Sequence, residues 1–284
     1  MTSGLLWEMA FVLYGAANLF FWAELAFQKK IFVILASWLA FIGMAIHLGA
    51  LITRGIQANG FPVIQAHDAL GLLAILILTS YFVVQWKWAL RGFGFFATAL
   101  AFLFTLVSLA YPGDAPRQIN PELSGTMLDF HIAAIILSFG ILALAFCSSV
   151  AYLAQDFMLH GKRMMQLSKR LPPLTTLDLL TNRLVGVGFI LLSIGIALGS
   201  LWAEHQWGKW WSSDAKLTLA LITWLTYAIY IYARTLSGWK GKRSVFLIIV
   251  GFVLILLTFV GTNFLPGRHR FIGQTQRHDL FLKS

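Results

Sequence analysis

The chain has 284 residues, of which 59% are hydrophobic and 11% charged, and its mean hydropathy is +0.78. This charged fraction is less than half of the ~25% usual in soluble globular domains, which argues against a soluble protein. The formal net charge is +10, but nucleic-acid binding requires a basic face on a soluble domain, and no such domain is apparent. Membrane lipid is therefore an expected partner, and nucleic acid is not.

Long apolar runs divide the chain into candidate membrane helices. A helix needs roughly 20 apolar residues to cross a hydrocarbon layer about 30 Å thick. The qualifying runs are, in chain order, Leu5–Phe27, Ile31–Ile52, Ala69–Gln85, Phe93–Tyr111, Leu128–Ala154, Leu184–Ala203, Leu217–Arg234 and Val245–Leu265. All seven prolines lie outside these runs or at their edges, as expected for residues that interrupt helices. We predict an all-α polytopic membrane protein with about eight transmembrane helices, forming a single transmembrane domain over 1–284.

The first run is predicted to be a retained span. No basic segment precedes it, and it is too long for the apolar region of a signal peptide. Lysine and arginine collect in alternate connections, at 28–30, 87–91, 156–183 and 234–243. This bias predicts that those connections face the cytoplasm and that both termini lie on the outer, periplasmic side. The basic tail that follows Pro266 opposes this orientation.

Three connections receive specific predictions. Residues 112–127 form an outer loop, and 202–216 form an outer tryptophan-rich loop. Residues 155–183 form a cytoplasmic basic loop, in which methionines and leucines alternate with basic residues up to Pro172–Pro173. That alternation is typical of a short interfacial helix, although a solvated basic loop explains it equally well.

Histidines mark the outer ends of several predicted spans. His67 lies at the mouth of the third span, His131 at the start of the fifth, and His269 just past the end of the eighth. His47 lies inside the second span, nearer its outer end, where an ionisable group is costly and often functional. Each also has an ordinary explanation, as a hydrogen-bonded helix cap or a buried neutral imidazole. Because they come from separate parts of the chain, only the fold can bring them together.

The loop 202–216, WAEHQWGKWWSSDAK, holds four tryptophans, among them Trp207, Trp210 and Trp211, together with Gly208 and Asp214. Haem has an apolar plane, an iron that takes two axial nitrogen ligands, and anionic propionates. Indoles suit the macrocycle and basic side chains suit the propionates. The basic candidates are Lys209, Arg268, Arg270 and Arg117. The pattern favours a haem site with His131 and His269 as the axial pair; an interfacial aromatic belt is the alternative.

Cysteine chemistry is limited to one residue, Cys147, inside the fifth predicted span. A single cysteine forms no internal disulfide, and the chain has no CxxCH, so it is not itself a c-type cytochrome. We expect Cys147 to be a small packed residue.

Several of these segments resemble one family. Trp207–Arg234, WGKWWSSDAKLTLALITWLTYAIYIYAR, resembles the tryptophan-rich "WWD" signature of the cytochrome c assembly family, most closely that of its CcsA-type members in system II. LDFHIAAIILSFG, from Leu128, is similar to the helix start that carries an external histidine. Gly238–His269 resembles the last span and its histidine. Ile46–Leu70 is similar to the stretch that runs from a membrane histidine through a Phe-Pro turn to an acidic residue.

The resemblance implies a haem-handling protein of a bacterial inner membrane or a thylakoid membrane. It would hold non-covalent b-type haem at an external site and present it, with a CcsB-like membrane partner, to the CxxCH of an apocytochrome c. His131 and His269 would ligate the iron. The implied haem-contacting residues also include Trp207, Gly208, Trp210, Trp211, Asp214, His47 and His67.

Departures from the family pattern keep other functions open. The signature reads WWSSDAKLTL, where Ser213, Ala215, Leu217 and Leu219 replace the usual tryptophan, proline, glutamate and tryptophan. Tyr232 stands where the family has a membrane histidine, so external haem binding is better supported than haem transport. A HemX-like regulatory or scaffold protein without synthase activity is the alternative. A b-type cytochrome electron-transfer subunit ranks third, and a generic transporter fourth.

Overall fold

The computed structural model describes residues 3–58, 66–111, 125–161, 165–208 and 215–260. Within these ranges every regular element is a helix. The helices are α1 (Ser3–Phe27), α2 (Lys30–Ala58), α3 (Ala66–Trp88), α4 (Phe93–Ala110), α5 (Thr126–His160), α6 (Met165–Ser168), α7 (Leu174–Trp207), α8 (Ala215–Thr235) and α9 (Lys242–Val260). His269, Trp210, Trp211, Asp214 and most of the predicted outer loop 112–127 lie outside the described residues.

The polytopic membrane architecture is confirmed. Seven helices of the described residues, α1 to α5, α7 and α8, are long and apolar enough to cross a membrane. The eighth predicted run coincides with α9, which has 19 residues between Lys242 and Val260. The side of the membrane on which the termini lie stays a prediction.

Helices α5 and α7 are longer than predicted, so the basic connection between them is shorter than the predicted loop 155–183. Helix α5 continues to His160 and α7 begins at Leu174, and the described part of the connection between them contains the four-residue α6. The helices continue through polar sequence because their acidic residues have partners. Asp156 Oδ2 lies 2.8 Å from Lys242 Nζ, and Asp178 accepts two hydrogen bonds from Arg234, at 2.7 and 2.5 Å.

The bundle has two halves, α1–α4 and α5–α9, which meet where α3 and α4 pack on α5. Helix α3 is buried on most of its surface, whereas α1 and α2 expose many large apolar side chains. An outward apolar surface is what contact with lipid requires. Phe146 of α5 stacks on Phe252 of α9 with ring centroids 4.1 Å apart. Cys147 is buried as predicted, and its thiol contacts the carbonyl oxygen of Phe96 at 3.5 Å.

Candidate functional site

His131 lies near the start of α5 and points at α7. Its Nδ1 is 2.6 Å from the carbonyl oxygen of Gly195. The two helices approach closely because α7 has glycine at 195 and 199. A Cβ atom placed on Gly199 would lie 2.5 Å from Cε1 and 2.6 Å from Nδ1 of His131. The imidazole therefore packs directly on the backbone of α7.

This contact shows which ring nitrogen of His131 donates a hydrogen bond. A carbonyl oxygen only accepts hydrogen bonds, so Nδ1 of His131 carries a proton that it donates to Gly195 O. Metal-bound histidines commonly make one such bond, with one ring nitrogen on the metal and the other donating to a carbonyl or carboxylate. The Nδ1 contact of His131 is of this kind.

An apolar groove runs along α5 and α7 beside His131. Its volume is about 550 Å³, and its lining residues are Met127, Phe130, Ala133, Ala134, Leu137, Ile194 and Leu198. On α5, Met127 and Ala134 are four before and three after His131, so they neighbour it on the helix surface, whereas Phe130, directly before it, points to another face. The residues that line the groove do not include His131 itself.

Helix α7 ends where the tryptophan-rich loop begins. Trp207 is its last residue, and Gly208 follows with φ 66° and ψ 17°. Glycine adopts this left-handed conformation readily, and here it ends the helix, with its N–H donating to Glu204 O at 2.8 Å. Gly208 is nine residues beyond Gly199, or about 13 Å along the helix axis. The loop thus starts on the helix that holds His131.

The imidazole rings of His47 and His67 both pack against the indole of Trp7. Trp7 of α1 lies 4.4 Å from the His47 ring in an edge-on contact and stacks on His67 at 4.1 Å. Trp7 and His47 are fully buried, and His67 is 5% exposed. Trp7 Nε1 donates to Ser108 Oγ at 2.8 Å, and His67 Nδ1 lies 2.9 Å from Ser108 O. These contacts link the first four helices.

His47 is only partly satisfied in this cluster. Its Nδ1 is 3.3 Å from the Tyr14 hydroxyl, and its Nε2 has no hydrogen-bond partner among the described residues. Because Trp7 fills the space beside both imidazoles, this closed packing favours a structural role for His47 and His67. Their predicted role in haem binding stays a prediction.

A buried ion pair stands beside this cluster. Arg54 Nε lies 2.5 Å from Asp68 Oδ1, and both side chains are 3% exposed. The pair connects the end of α2 to the start of α3, across the connection 59–65. Asp68 is the acidic residue noted in the stretch Ile46–Leu70, and its partner Arg54 was not predicted. The sequence did contain a signal for this pair: two opposite charges, 14 residues apart, at the ends of two adjacent spans.

The histidine sites share one end of the bundle. Ala69, two residues after His67, forms a small apolar cluster with Ile136, and Ile132, next to His131, packs against it. His67 and His131 therefore lie at the same end of the bundle. Tyr232, in contrast, is 62% exposed. Its position on α8 faces out of the bundle.

Comparison with known proteins identifies the family. Residues 63–269 match the family described as "Cytochrome C assembly protein". The chain belongs to this family. The match includes His67, His131, His269 and the tryptophan-rich loop, whereas Trp7 and His47 precede it.

Named relatives extend the similarity to most of the chain. The cytochrome c biogenesis protein CcsA of Guillardia theta is 32% identical over 274 residues, covering 88% of this chain and 90% of the relative. CcsA of Porphyra purpurea is 30% identical and covers 90% of this chain and 92% of the relative. CcsA of Gloeobacter violaceus is 29% identical, with 94% and 95% covered. This family membership confirms the resemblance predicted from the sequence.

Proposed function

We propose that this protein binds b-type haem non-covalently at an external site and presents it to an apocytochrome c for covalent attachment. The observation that carries this proposal is the geometry of His131. Its Nδ1–H donates to Gly195 O at 2.6 Å, the kind of bond that orients metal-bound histidines, and an apolar groove lies on the same two helices. Within a cytochrome c assembly family, haem is the ligand that this histidine and this surface suit best.

In this proposal His131 and His269 are the two axial ligands. Trp207, Trp210 and Trp211 cover the macrocycle, Gly208 turns the chain into the loop, and Asp214 lies at its end. When bound, haem supplies two vinyl groups, across which the thiols of the apocytochrome CxxCH add. The residues of this chain would bind and orient the macrocycle. Ligation by the two histidines would protect the iron until the haem is attached to the apocytochrome.

The cellular setting is part of the proposal. A CcsB-like membrane partner would complete the haem-attachment complex, and the membrane would be a bacterial inner membrane. The charge bias of the connections supports an outer position for the site. The contacts of Trp7 with both rings favour a packing role for His47 and His67 within α1–α4.

A HemX-like scaffold or regulator is the second candidate function. Tyr232 favours it, because a tyrosine that faces out of the bundle at 62% exposure offers no buried ligand for haem arriving from the cytoplasm. Such a protein would hold haem without completing its attachment. Both candidate functions use the same haem site, but only the first includes covalent attachment of haem to an apocytochrome c.

The proposal is tested by the reduced-minus-oxidised absorption spectrum of purified protein produced with ample haem. We expect the spectrum of a low-spin b-type haem with two histidine ligands. Co-expression with a CcsB-like partner and an apocytochrome c should then yield covalent haem on the apocytochrome. Bound haem without covalent product would favour the scaffold, and the absence of haem from the purified protein would contradict both functions.

Tyr232 provides a second test. We expect Tyr232→Phe and Tyr232→Ala to leave haem content and thermal stability unchanged, since the side chain lies on the outside of the bundle. Haem content per protein and the unfolding midpoint are the measurements. Tyr230→Phe, at a buried neighbouring position with 1% exposure, is the matched comparison for general damage to α8. Loss of haem from the Tyr232 variants alone would return this position to the binding pathway.

A further inference from the structure

We infer that Arg183 of α7 and Trp88 of α3 form a binding site for the headgroup phosphate of an anionic phospholipid. The two residues lie at the end of the bundle that holds α6, opposite to the end that carries His131. The inference is independent of the proposed haem site, and its tests need no haem. We call these two residues the Arg183–Trp88 site.

Arg183 is exposed and stands in an otherwise apolar stripe on the outer face of α7. Leu179, one turn before it, and Val187, one turn after it, are exposed on the same face. The uninterrupted apolar run of α7 starts directly after Arg183, at Leu184, and continues to Ala203. That run is long enough to cross a hydrocarbon layer about 30 Å thick. Arg183 therefore lies at the level where the hydrocarbon meets the lipid headgroups.

The indole of Trp88 holds the guanidinium at this level. Arg183 Cζ lies over the indole, 4.9 Å from the ring centroid. Trp88 is the last residue of α3 and packs against the main apolar core, so the ring is itself held in place. The contact joins the two halves of the bundle, since α3 belongs to the first and α7 to the second. A cation–π contact uses no hydrogen-bond acceptor, so the N–H donors of the guanidinium still need acceptors.

The acidic side chains of the described residues at this end are engaged elsewhere. Asp156 and Asp178 form the ion pairs described above, and the carboxyl group of Glu24 interacts with two other arginines. Within the described part of the chain, Arg183 forms no ion pair and no side-chain hydrogen bond. The acceptors that its guanidinium needs must therefore come from outside these residues, and lipid headgroups are the acceptors present at this level.

The surroundings favour an anionic phospholipid over a free anion. A guanidinium donates paired, parallel hydrogen bonds to the oxygens of a phosphate. The exposed Leu179 and Val187 offer the acyl chains an apolar surface, of which a free phosphate ion would make no use. Lys87 and Arg91, on either side of Trp88 in the sequence, are exposed. Their positive charge favours an anionic lipid over a zwitterionic one.

The first experiment measures lipid binding by native mass spectrometry of the full-length protein in detergent. The probes are phosphatidylglycerol and phosphatidylcholine, each added at graded concentrations. We expect the wild type to hold phosphatidylglycerol more tightly than phosphatidylcholine. Arg183→Gln should weaken phosphatidylglycerol binding about 10-fold, the factor expected when charge-assisted hydrogen bonds are lost. Trp88→Leu should weaken it less, and Arg183→Lys should fall between Arg183→Gln and the wild type, because lysine keeps the charge but not the planar donors.

Arg243→Gln is the matched control, because Arg243 is an exposed arginine at the same end of the bundle, in the first turn of α9. It should bind phosphatidylglycerol as the wild type does. An equal loss in Arg243→Gln would show that overall charge attracts the lipid and would overturn the inference, as would wild-type affinity in Arg183→Gln. Inorganic phosphate should not displace the lipid. Displacement at equal concentration would indicate a site for a free anion and would overturn the assignment to lipid.

A second measurement tests the link between the two halves of the bundle. A ligand that binds only the folded protein raises its stability, and this lipid would bind where α3 and α7 are joined. We expect the unfolding midpoint of the wild type to rise when phosphatidylglycerol is added to phosphatidylcholine vesicles, and Arg183→Gln to lose this rise. Should Arg183→Gln not fold, Arg183→Lys replaces it and should show a smaller rise than the wild type. An equal rise in the wild type and the variant would contradict the inference.

Discussion

Replacing His131 with alanine is expected to remove most bound haem from the purified protein. The side chain supplies one of the two proposed iron ligands and is held against α7 by its Nδ1–H bond to Gly195 O. Loss of the ligand itself should cost more than the ~10–100-fold that loss of an outer-shell partner costs. His269→Ala should have an effect of the same kind, and the double variant should retain no haem. Haem per protein, measured by absorbance after purification, is the readout.

The matched control for this result is on the same helix. His160→Ala removes an imidazole at the far end of α5, where the side chain is 76% exposed, and it should keep wild-type haem. Added imidazole should partly restore the spectrum of His131→Ala, because a free ligand can fill the vacated position on iron. Normal haem content in the double variant would rule out this axial pair.

Removing one charge of the Arg54–Asp68 pair is expected to have the largest effect on stability. Both side chains are 3% exposed, so Arg54→Met removes the guanidinium that pairs with the buried Asp68 carboxylate, and Asp68→Asn removes the carboxylate from the buried Arg54 pair. Breaking a buried pair in this way typically costs about 3–5 kcal/mol. The unfolding midpoint in detergent should fall clearly for each single variant. Haem should be lost as well, because the pair holds α2 and α3 at the end of the bundle that carries the site.

Two controls distinguish this effect from charge loss in general. The double variant Arg54→Met/Asp68→Leu should recover much of the stability, since replacing both charges with apolar groups is often nearly neutral. Lys242→Met breaks the pair with Asp156, in which Lys242 is 64% exposed, and should change the unfolding midpoint little, because exposed ion pairs contribute little to stability. Equal destabilisation by Lys242→Met and Asp68→Asn would contradict a special role for the buried pair.

Hydropathy located the helices well but their ends poorly. Every predicted apolar run coincides with a helix, because lipid requires a continuous backbone-bonded segment of spanning length. The end of α5 and the start of α7 were misjudged because hydropathy falls at Asp156 and over Asp178–Arg183. In the fold these residues pair with Lys242 and Arg234, and the helix continues past them.

The sequence also indicated the family and the histidine at the start of α5, but not how that histidine is held. The segment SIGIALGS carries Gly195 and Gly199 at the four-residue spacing that permits close helix approach. This spacing predicts a contact without naming the partner. Only the packing of α5 on α7 shows that the partner is the imidazole of His131.

The sequence alone determined the membrane class, the approximate spans and the resemblance to the cytochrome c assembly family, because these depend on local composition and on contiguous motifs. The tertiary structure decided how the surroundings of the individual histidines differ. His47 and His67 are enclosed around Trp7, whereas His131 rests on a helix backbone with its Nδ1 bonded to a carbonyl. The tautomer and surroundings of an imidazole depend on atoms far away in the chain, here 64 residues from His131 at Gly195, and no local pattern encodes them.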